Sequence, residues 1–159
     1  MYYDKRAKAI ATIKGGPIWP QVEGTACFLD APLGTYIVVH VEGLPPYQRA
    51  EDSQSPIGPL GFHIHEGNSC EIGDPDNPFL DARGHYNPDN QPHGNHAGDL
   101  PVLFSMDGKA IMVFYTNRFT PEEVIGRTIL IHQNPDDYRT QPAGNSGLRL
   151  ACGRIVRNY

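Results

Sequence analysis

The stretch GFHIHEGNSC, residues 61–70, decides the fold and the chemistry of this chain. Residues 60–65 are predicted to form a strand, in which side chains alternate between two faces. His63 and His65 therefore leave the same face about 6.6 Å apart along the backbone, and their rings can converge on one ion. By itself this pattern is more typical of a polar, solvent-facing strand than of a metal site, so its meaning depends on the rest of the chain.

The segment that follows, residues 66 to about 99, is predicted to be a long loop that carries three of the seven histidines. Five of the seven histidines of the chain lie between positions 63 and 96. The loop supplies three of them and one carboxylate, which are His85, His93, His96 and Asp99. Nitrogen and oxygen donors in this number suit a closed tetrahedral zinc site. A solvated loop histidine is the alternative for each alone, but a loop this poor in apolar residues needs a crosslink to become ordered.

Composition and turn signals favour short strands over helices. The 159 residues include 17 Gly and 15 Pro, and both residue types interrupt helices. Alternating small or apolar positions predict strands at 7–14, 21–29, 36–41, 60–65, 102–106, 110–116, 127–132 and 148–156. A short helical turn is predicted where Thr120 and Pro121 resemble a capped helix start. We therefore predict a single all-β domain over residues 1–159, an eight-stranded Greek-key sandwich or flattened barrel with long metal-binding loops.

Charge, hydropathy and cysteine count exclude several classes of protein. The 13 basic and 18 acidic residues give a formal net charge of −5 without a basic block, which argues against a nucleic-acid partner. No apolar stretch approaches the roughly 20 residues that a membrane-spanning helix needs, so no membrane partner is expected. The three cysteines, Cys27, Cys70 and Cys152, allow one disulfide and contain no CxxC pair, which excludes a thiolate zinc site. Cys27 is expected to be a free thiol on the outer face or rim of its strand.

Five segments together make the chain resemble the copper/zinc superoxide dismutases. They are GFHIHEGNSC at 61–70, GHYNP at 84–88, HGNHAGDLP at 93–101, GRTILIH at 126–132 followed by Asp136 and Asp137, and GNSGLRLACG at 144–153. They run in the family's order from Gly61 towards the C-terminus. The resemblance implies dismutation of the superoxide anion to O2 and hydrogen peroxide, with copper alternating between Cu(II) and Cu(I) and zinc in a structural role.

The resemblance also implies a role for each matching residue. The copper ligands would be His63, His65, His85 and His132, and the zinc ligands would be His85, His93, His96 and Asp99. His85 would bridge both metals and pass a proton to the departing peroxide. Asp136 would link His63 to His93, Arg149 would attract superoxide, and Cys70 and Cys152 would form a disulfide. A surface or capping histidine is the alternative for His132, a turn cap for Asp136 and a surface arginine for Arg149.

The chain departs from the family in its loops. The segment from His132 to Arg149 is short and lacks a lysine-bearing insert, so guidance of superoxide rests on Arg149, with Arg139 as a second candidate. Only two residues separate His93 from His96, and the predicted loop at 44–59 is long, which resembles a bacterial branch. Dimer contacts differ between branches, so a homodimer is compatible with the sequence without being implied by it.

Other functions and locations stay open at the level of sequence. A non-catalytic copper- or zinc-binding module, such as a metal-delivery domain on the same fold, is the alternative function. A plain adhesion-type sandwich would leave the histidines unexplained. The first residues are charged and lack an apolar core, so a cytoplasmic location is predicted, with export after loss of a leader as the alternative.

Overall fold

The computed structural model describes residues 4–50 and 57–159, and within these residues it forms one curled antiparallel sheet of seven strands. The strands are β1 (Ala9–Gly15), β2 (Glu23–Ala31), β3 (Gly34–Glu42), β4 (Phe62–His65), β5 (Ala110–Thr116), β6 (Thr128–His132) and β7 (Arg149–Arg157). Across the sheet their order is β4-β6-β7-β1-β2-β3-β5, so β4 and β5 are the two edges. The predicted all-β class is confirmed. Part of the predicted loop at 44–59 lies outside the described residues.

Alternating burial explains why these segments form strands around one core. In β3, Ile37, Val39 and Val41 are fully buried while the residues between them are partly exposed. Branched apolar side chains at every second position pack well on one face of a pleated sheet. The predicted helical turn is the helix α1 (Pro121–Val124), where the carboxylate of Glu123 accepts a hydrogen bond from the backbone N–H of Thr120 at 2.6 Å.

The prediction of an eighth strand at residues 102–106 is wrong for the described residues. Leu103 exchanges backbone hydrogen bonds with Leu60, but this is an isolated bridge. Pro101, two residues before Leu103, has no N–H with which to continue the ladder. On the other side Gly58 has a φ of +78°, which turns the opposing chain away from an extended path.

The expectation that Cys27 is a free thiol is confirmed, but its expected position on an outer face or rim of the strand is wrong. Cys27 is a free cysteine, but it is fully buried in β2. The backbone before β1 covers this face of the sheet, because the N–H of Lys8 donates to the carbonyl of Phe28 and both Asp4 and Ala7 are buried. Burial raises the pKa of the Cys27 thiol, although a hydrogen bond with the backbone of Asp4 opposes that shift. The thiol is therefore an inert part of the interior.

A disulfide and a small second core hold the start of the long loop against β7. Cys70 and Cys152 are joined, with their Cα atoms 5.7 Å apart, which confirms the pairing that the resemblance implied. Beside them Phe79, Ala82 and Leu130 pack together. The loop forms one turn of 3-10 helix there, Leu80–Ala82. In the described part of the chain, none of the helices is both long and apolar enough to cross a bilayer.

Candidate metal centre

The edge strand β4 places the first two histidines in the interior. All four of its residues are buried, with Phe62 and Ile64 in the hydrophobic core. His63 and His65 lie on the other face, with their ring centroids 6.2 Å apart. The strand alternation therefore aims both rings into one space, as the sequence predicted.

The backbone of the long loop is hydrogen-bonded to the free edge of β4. The N–H of Ile64 donates to the carbonyl of Gly98 at 2.9 Å, and the N–H of Tyr86 donates to the carbonyl of Ile64 at 2.8 Å. These bonds set His85 opposite His65 and Asp99 opposite His63. A Cβ atom at position 98 would lie 2.2 Å from the carbonyl oxygen of Ile64, so this close approach requires glycine.

His132 reaches the same space from β6. The pairing register between β6 and β7 shifts between Ile131 and His132, which turns the last residue of the strand. The N–H of His132 donates to the carbonyl of Gly61 at 2.8 Å. Its ring centroid lies 4.7 Å from that of His63 and 5.3 Å from that of His65.

The side chains form two clusters that share one residue. In each cluster the candidate ligand atoms all lie within 4.8 Å of one another, and every member is buried. The first cluster contains His63, His65, His85 and His132, and the second contains His85, His93, His96 and Asp99. These are the two sets of residues that the resemblance implied, and the structure brings each set together.

Several nitrogen atoms in the clusters have no hydrogen-bond partner. Within the described residues, the buried ring nitrogens that form no hydrogen bond are His63 Nδ1, His85 Nε2, His93 Nδ1 and His96 Nδ1. The last two lie near the carboxylate of Asp99, but not in hydrogen-bonding geometry. Leaving a buried polar atom unpaired costs about 1–3 kcal/mol. A cation at each cluster would satisfy these atoms, so their presence fits metal binding.

The hydrogen bonds of His65 and His132 also indicate that the first cluster can bind a cation. The Nδ1–H of His65 donates to the carbonyl of Arg83 at 2.8 Å, and Nδ1 of His132 faces the carbonyl of Gly147 at 3.4 Å. With the protons on Nδ1, both Nε2 atoms carry lone pairs. These two Nε2 atoms lie 3.2 Å apart. Two lone pairs cannot form a hydrogen bond with each other, whereas a cation between them would be bound by both.

A carboxylate closes the second cluster. Asp99 Oδ1 lies 2.8 Å from His85 Nδ1 and 3.2 Å from His96 Nδ1, and Asp99 Oδ2 lies 3.3 Å from His93 Nδ1. Asp99 Oδ2 also accepts hydrogen bonds from the backbone N–H groups of Gly94 and His96. Three imidazoles and one carboxylate are a donor set that suits zinc.

The electrostatics keep these groups in their metal-binding forms. Burial lowers the pKa of His63 to about 4 and holds the pKa values of His65 and His132 well below their usual range. Burial would raise the pKa of Asp99, but the hydrogen bond and charge of His85 outweigh it and lower that pKa to about 2. Neutral imidazoles and an ionised carboxylate are the states that bind metals.

Asp136 connects the two clusters from behind. Its Oδ2 accepts a hydrogen bond from His63 Nε2 at 2.7 Å, and its Oδ1 accepts one from His93 Nε2 at 2.8 Å. Gly144, with a φ of +67°, packs directly on this pair, where an added Cβ would lie 1.9 Å from Asp136 Oδ1. Sequence reasoning missed the role of Gly144, although Gly144 begins the segment GNSGLRLACG, one of those that carry the family resemblance.

A cavity of about 620 Å³ opens onto the first cluster. It is lined by His65, His85 and His132 together with Arg149. The guanidinium of Arg149 donates to the carbonyls of Phe79 and Arg83, and burial lowers its pKa. Arg139 is not among the described residues that line this cavity, whereas Arg83 is.

Comparisons with known proteins agree with this geometry. The family profile described as "Copper/zinc superoxide dismutase (SODC)" matches residues 22–155. A relative named "Superoxide dismutase [Cu-Zn]" from Deinococcus radiodurans is 41% identical over 151 residues, covering 84% of this chain and 76% of the relative. Another of the same name from Legionella pneumophila is 34% identical over 160 residues, covering 92% and 89%.

A solved structure of a similar protein has a similar fold. The crystal structure of a double mutant of a superoxide dismutase-like protein from Bacillus subtilis matches with a TM-score of 0.74 and 30% identity. The match covers 92% of this chain and 96% of that chain. With two buried clusters of metal-binding residues, a cavity that opens onto one of them and these matches over most of its length, the chain belongs to the copper/zinc superoxide dismutase family.

Proposed function

We propose that the two clusters divide the metals of this superoxide dismutase between them. The cluster of His63, His65, His85 and His132 holds copper, and the cluster of His85, His93, His96 and Asp99 holds zinc. One observation carries this proposal: His85 contributes Nε2 to the first cluster and Nδ1 to the second. Four imidazoles suit Cu(II), and three imidazoles with a carboxylate suit Zn(II).

The enzyme converts two superoxide anions and two protons into O2 and hydrogen peroxide. When bound, copper supplies the redox chemistry by alternating between Cu(II) and Cu(I), and zinc has a structural role. His85 provides the proton: its Nδ1 is held 2.8 Å from Asp99, so the buried and unpartnered Nε2 is the atom that can take up and release a proton next to the substrate. Because Asp99 holds the ring at Nδ1, Nε2 delivers the proton in a constant direction.

Arg149 attracts and orients the anion. It lies on β7 directly opposite His132 and lines the same cavity. Its two bonds to backbone carbonyls fix the guanidinium plane, and a fixed positive group in a partly buried cavity interacts strongly with an anion.

The test is a metal analysis combined with a superoxide dismutation assay on wild type, His132→Ala and the control His40→Ala. His132→Ala should lose copper and at least about 100-fold in activity while retaining zinc, because His132 belongs to the first cluster alone. His40, on β3 far from the clusters, should be replaceable without effect on either metal. Full copper occupancy without activity in the wild type would show that the protein is a binding module and not an enzyme.

A visible spectrum of the Cu(II) protein tests the shared histidine. If His85 contacts both metals, adding zinc to the copper-loaded protein should shift the copper absorption, because the ring loses its second proton between two cations. An unchanged spectrum with zinc bound would separate the two sites. The metal-delivery alternative is not favoured, since both clusters are complete and Arg149 lines the cavity that opens onto the first of them.

Three further predictions concern the strand arrangement, the cellular location and the oligomeric state, and the structure supports some of them. The strand order, in which β4 follows β3 along the chain but lies at the opposite edge of the sheet, supports a Greek-key arrangement, and the main core shared by all strands supports a single domain. Of the two locations that the sequence leaves open, the Cys70–Cys152 disulfide favours export, since such bonds persist in oxidising compartments. Cell fractionation tests this.

The predicted possibility of a homodimer is tested by measuring the mass of the protein in solution by sedimentation.

A further inference from the structure

Arg83 occupies a backbone conformation that normally belongs to glycine. It follows the 3-10 helix Leu80–Ala82 with φ 64° and ψ −151°. For a residue with a Cβ, this region is strained by about 1–3 kcal/mol and is held only where the surrounding structure imposes it. Nothing in this loop position prevents glycine, so the presence of arginine needs an explanation beyond folding.

The backbone of Arg83 shows what imposes the conformation. Its carbonyl oxygen accepts hydrogen bonds from Nδ1 of His65 and from the guanidinium of Arg149. One carbonyl thus fixes a residue of the first cluster and the arginine beside it. This function needs only the backbone and would be served equally well by glycine.

The side chain of Arg83 is therefore the part that the backbone role leaves unexplained. It is exposed and lines the cavity that leads to the first cluster. Among the described residues Arg83 forms no ion pair, unlike Arg6, Lys8 and Lys14. The other charged residues that line this cavity, apart from the histidines, are Arg149 and Glu66. The exposed side chain of Arg83 therefore brings a positive charge to the lining of this cavity, without an ion-pair partner among the described residues.

We infer that Arg83 is a second guiding residue for superoxide, which acts at the mouth of the cavity while Arg149 acts at its inner end. The inference rests on the proposed route of superoxide through this cavity. The chain carries a formal net charge of −5, which repels an anion at long range, so a local positive charge at the entrance raises the rate of encounter. Arg83 thus has the role for which the sequence suggested Arg139 as a candidate. This role gives a functional reason for the strained backbone at position 83.

Three substitutions separate the charge from the strain. Arg83→Lys retains both the charge and the Cβ atom, Arg83→Gln removes only the charge, and Arg83→Gly removes the charge and relieves the strain. Arg154→Gln is the matched control, because it changes the net charge equally at an exposed residue of β7 that does not line the cavity.

The first measurement is kcat/KM for superoxide on the holoenzymes against ionic strength. At low salt Arg83→Gln and Arg83→Gly should be about two- to fivefold slower than wild type, with a shallower dependence on salt, and the difference should vanish near 1 M salt, where the screening length is about 3 Å. Arg83→Lys should retain the wild-type salt dependence. Equal salt dependence for wild type, Arg83→Gln and Arg154→Gln would overturn the inference.

Two further measurements do not use activity. Titration of each holoenzyme with inorganic phosphate by calorimetry should give binding at least about twofold weaker in Arg83→Gln than in Arg154→Gln, because only the first change removes a charge near the anion. Thermal unfolding should place the Tm of Arg83→Gly above that of Arg83→Gln by at least about 2 °C, since glycine relieves the strain. A lower Tm for Arg83→Gly would show that the conformation carries no strain to relieve.

A parallel variant distinguishes this inference from the proposed function. If Arg149→Gln lowers kcat/KM but Arg83→Gln does not, the cavity is the route and only the role of Arg83 is wrong. If neither change affects the rate, superoxide does not approach through this cavity, and the proposed role of Arg149 fails as well.

Discussion

Replacing Asp136 by asparagine should weaken the binding of both metals while leaving every cluster residue in place. The carboxylate accepts bonds from His63 Nε2 at 2.7 Å and His93 Nε2 at 2.8 Å. Asparagine offers one acceptor oxygen and one N–H2 donor. One ring N–H therefore keeps an acceptor, and the other meets a donor and has to turn or change its tautomer.

The magnitude follows from the two bonds that are altered. Loss of a group that orients a metal-bound histidine reduces metal affinity by about 10- to 100-fold, which is about 1.4–2.7 kcal/mol. Asp136 orients one histidine in each cluster, so we expect a loss of this size for copper and for zinc. The pKa of Asp136 supports an ionised carboxylate, because the bonds from His63 and His93 outweigh burial and lower it.

Chelator competition, measured separately for zinc and copper, tests this prediction. Asp137→Asn is the control: Asp137 is the adjacent exposed carboxylate and bonds to Thr140 and Asn145 within its own loop, not to a histidine. If Asp137→Asn weakened the metals as much as Asp136→Asn, the effect would come from general ordering of the loop. Affinities of Asp136→Asn within about twofold of wild type would refute the orienting role.

Three further changes test how the scaffold holds the site. Gly98→Ala should destabilise the protein by at least about 2 kcal/mol in urea unfolding, because the new Cβ would lie 2.2 Å from the carbonyl of Ile64; an unchanged midpoint would contradict the close approach. The double variant Cys70→Ala/Cys152→Ala removes a crosslink between positions 82 residues apart. This loss should cost the metal-free protein about 4.5 kcal/mol of stability at 25 °C. A loss below about 1 kcal/mol would be inconsistent with the chain-entropy explanation. Arg149→Lys should keep the charge but reduce kcat/KM by at least about tenfold, since lysine cannot bond both carbonyls in a fixed plane; wild-type kcat/KM would show that charge alone suffices.

The strand and helix predictions were most accurate where the local sequence pattern and the tertiary structure favour the same element. The predicted strand at 110–116 coincides with β5, where burial alternates along its length. The helix at Thr120 was recognisable because Pro121 and Glu123 act within one turn. The false strand at 102–106 shows the limit: its apolar pattern is genuine, but Phe104 and Met106 are exposed. The ladder is stopped by Pro101 in the same segment and by the turn at Gly58 in the opposing segment, and the second of these is not visible in the local pattern.

The side chains of the candidate site could be predicted from the sequence, but the backbone groups that position them could not. The histidines, Asp136 and Arg149 are visible as residue types at recognisable spacings. The carbonyl of Arg83 is not, because every residue has one and only the fold selects which carbonyl faces His65. Gly144 was equally hidden, since its contact with Asp136 joins positions on two sides of a turn. The burial of Cys27 depends on chain packed over β2 from before β1, which the alternation within β2 does not reveal.

The unpaired nitrogens explain how a long loop with little regular structure is held in place. The backbone bonds at Ile64 and the disulfide fix the loop at two points, yet they leave buried ring nitrogens in both clusters without partners. Each such atom costs about 1–3 kcal/mol until a cation satisfies it, so metal binding supplies folding free energy at this end of the sheet. The strands β1, β2, β3 and β5 pair with one another or with β7 and contribute no cluster residue. The stabilisation by metals should therefore be concentrated in the loop, β4 and the end of β6, while the rest of the sheet is ordered by its own core.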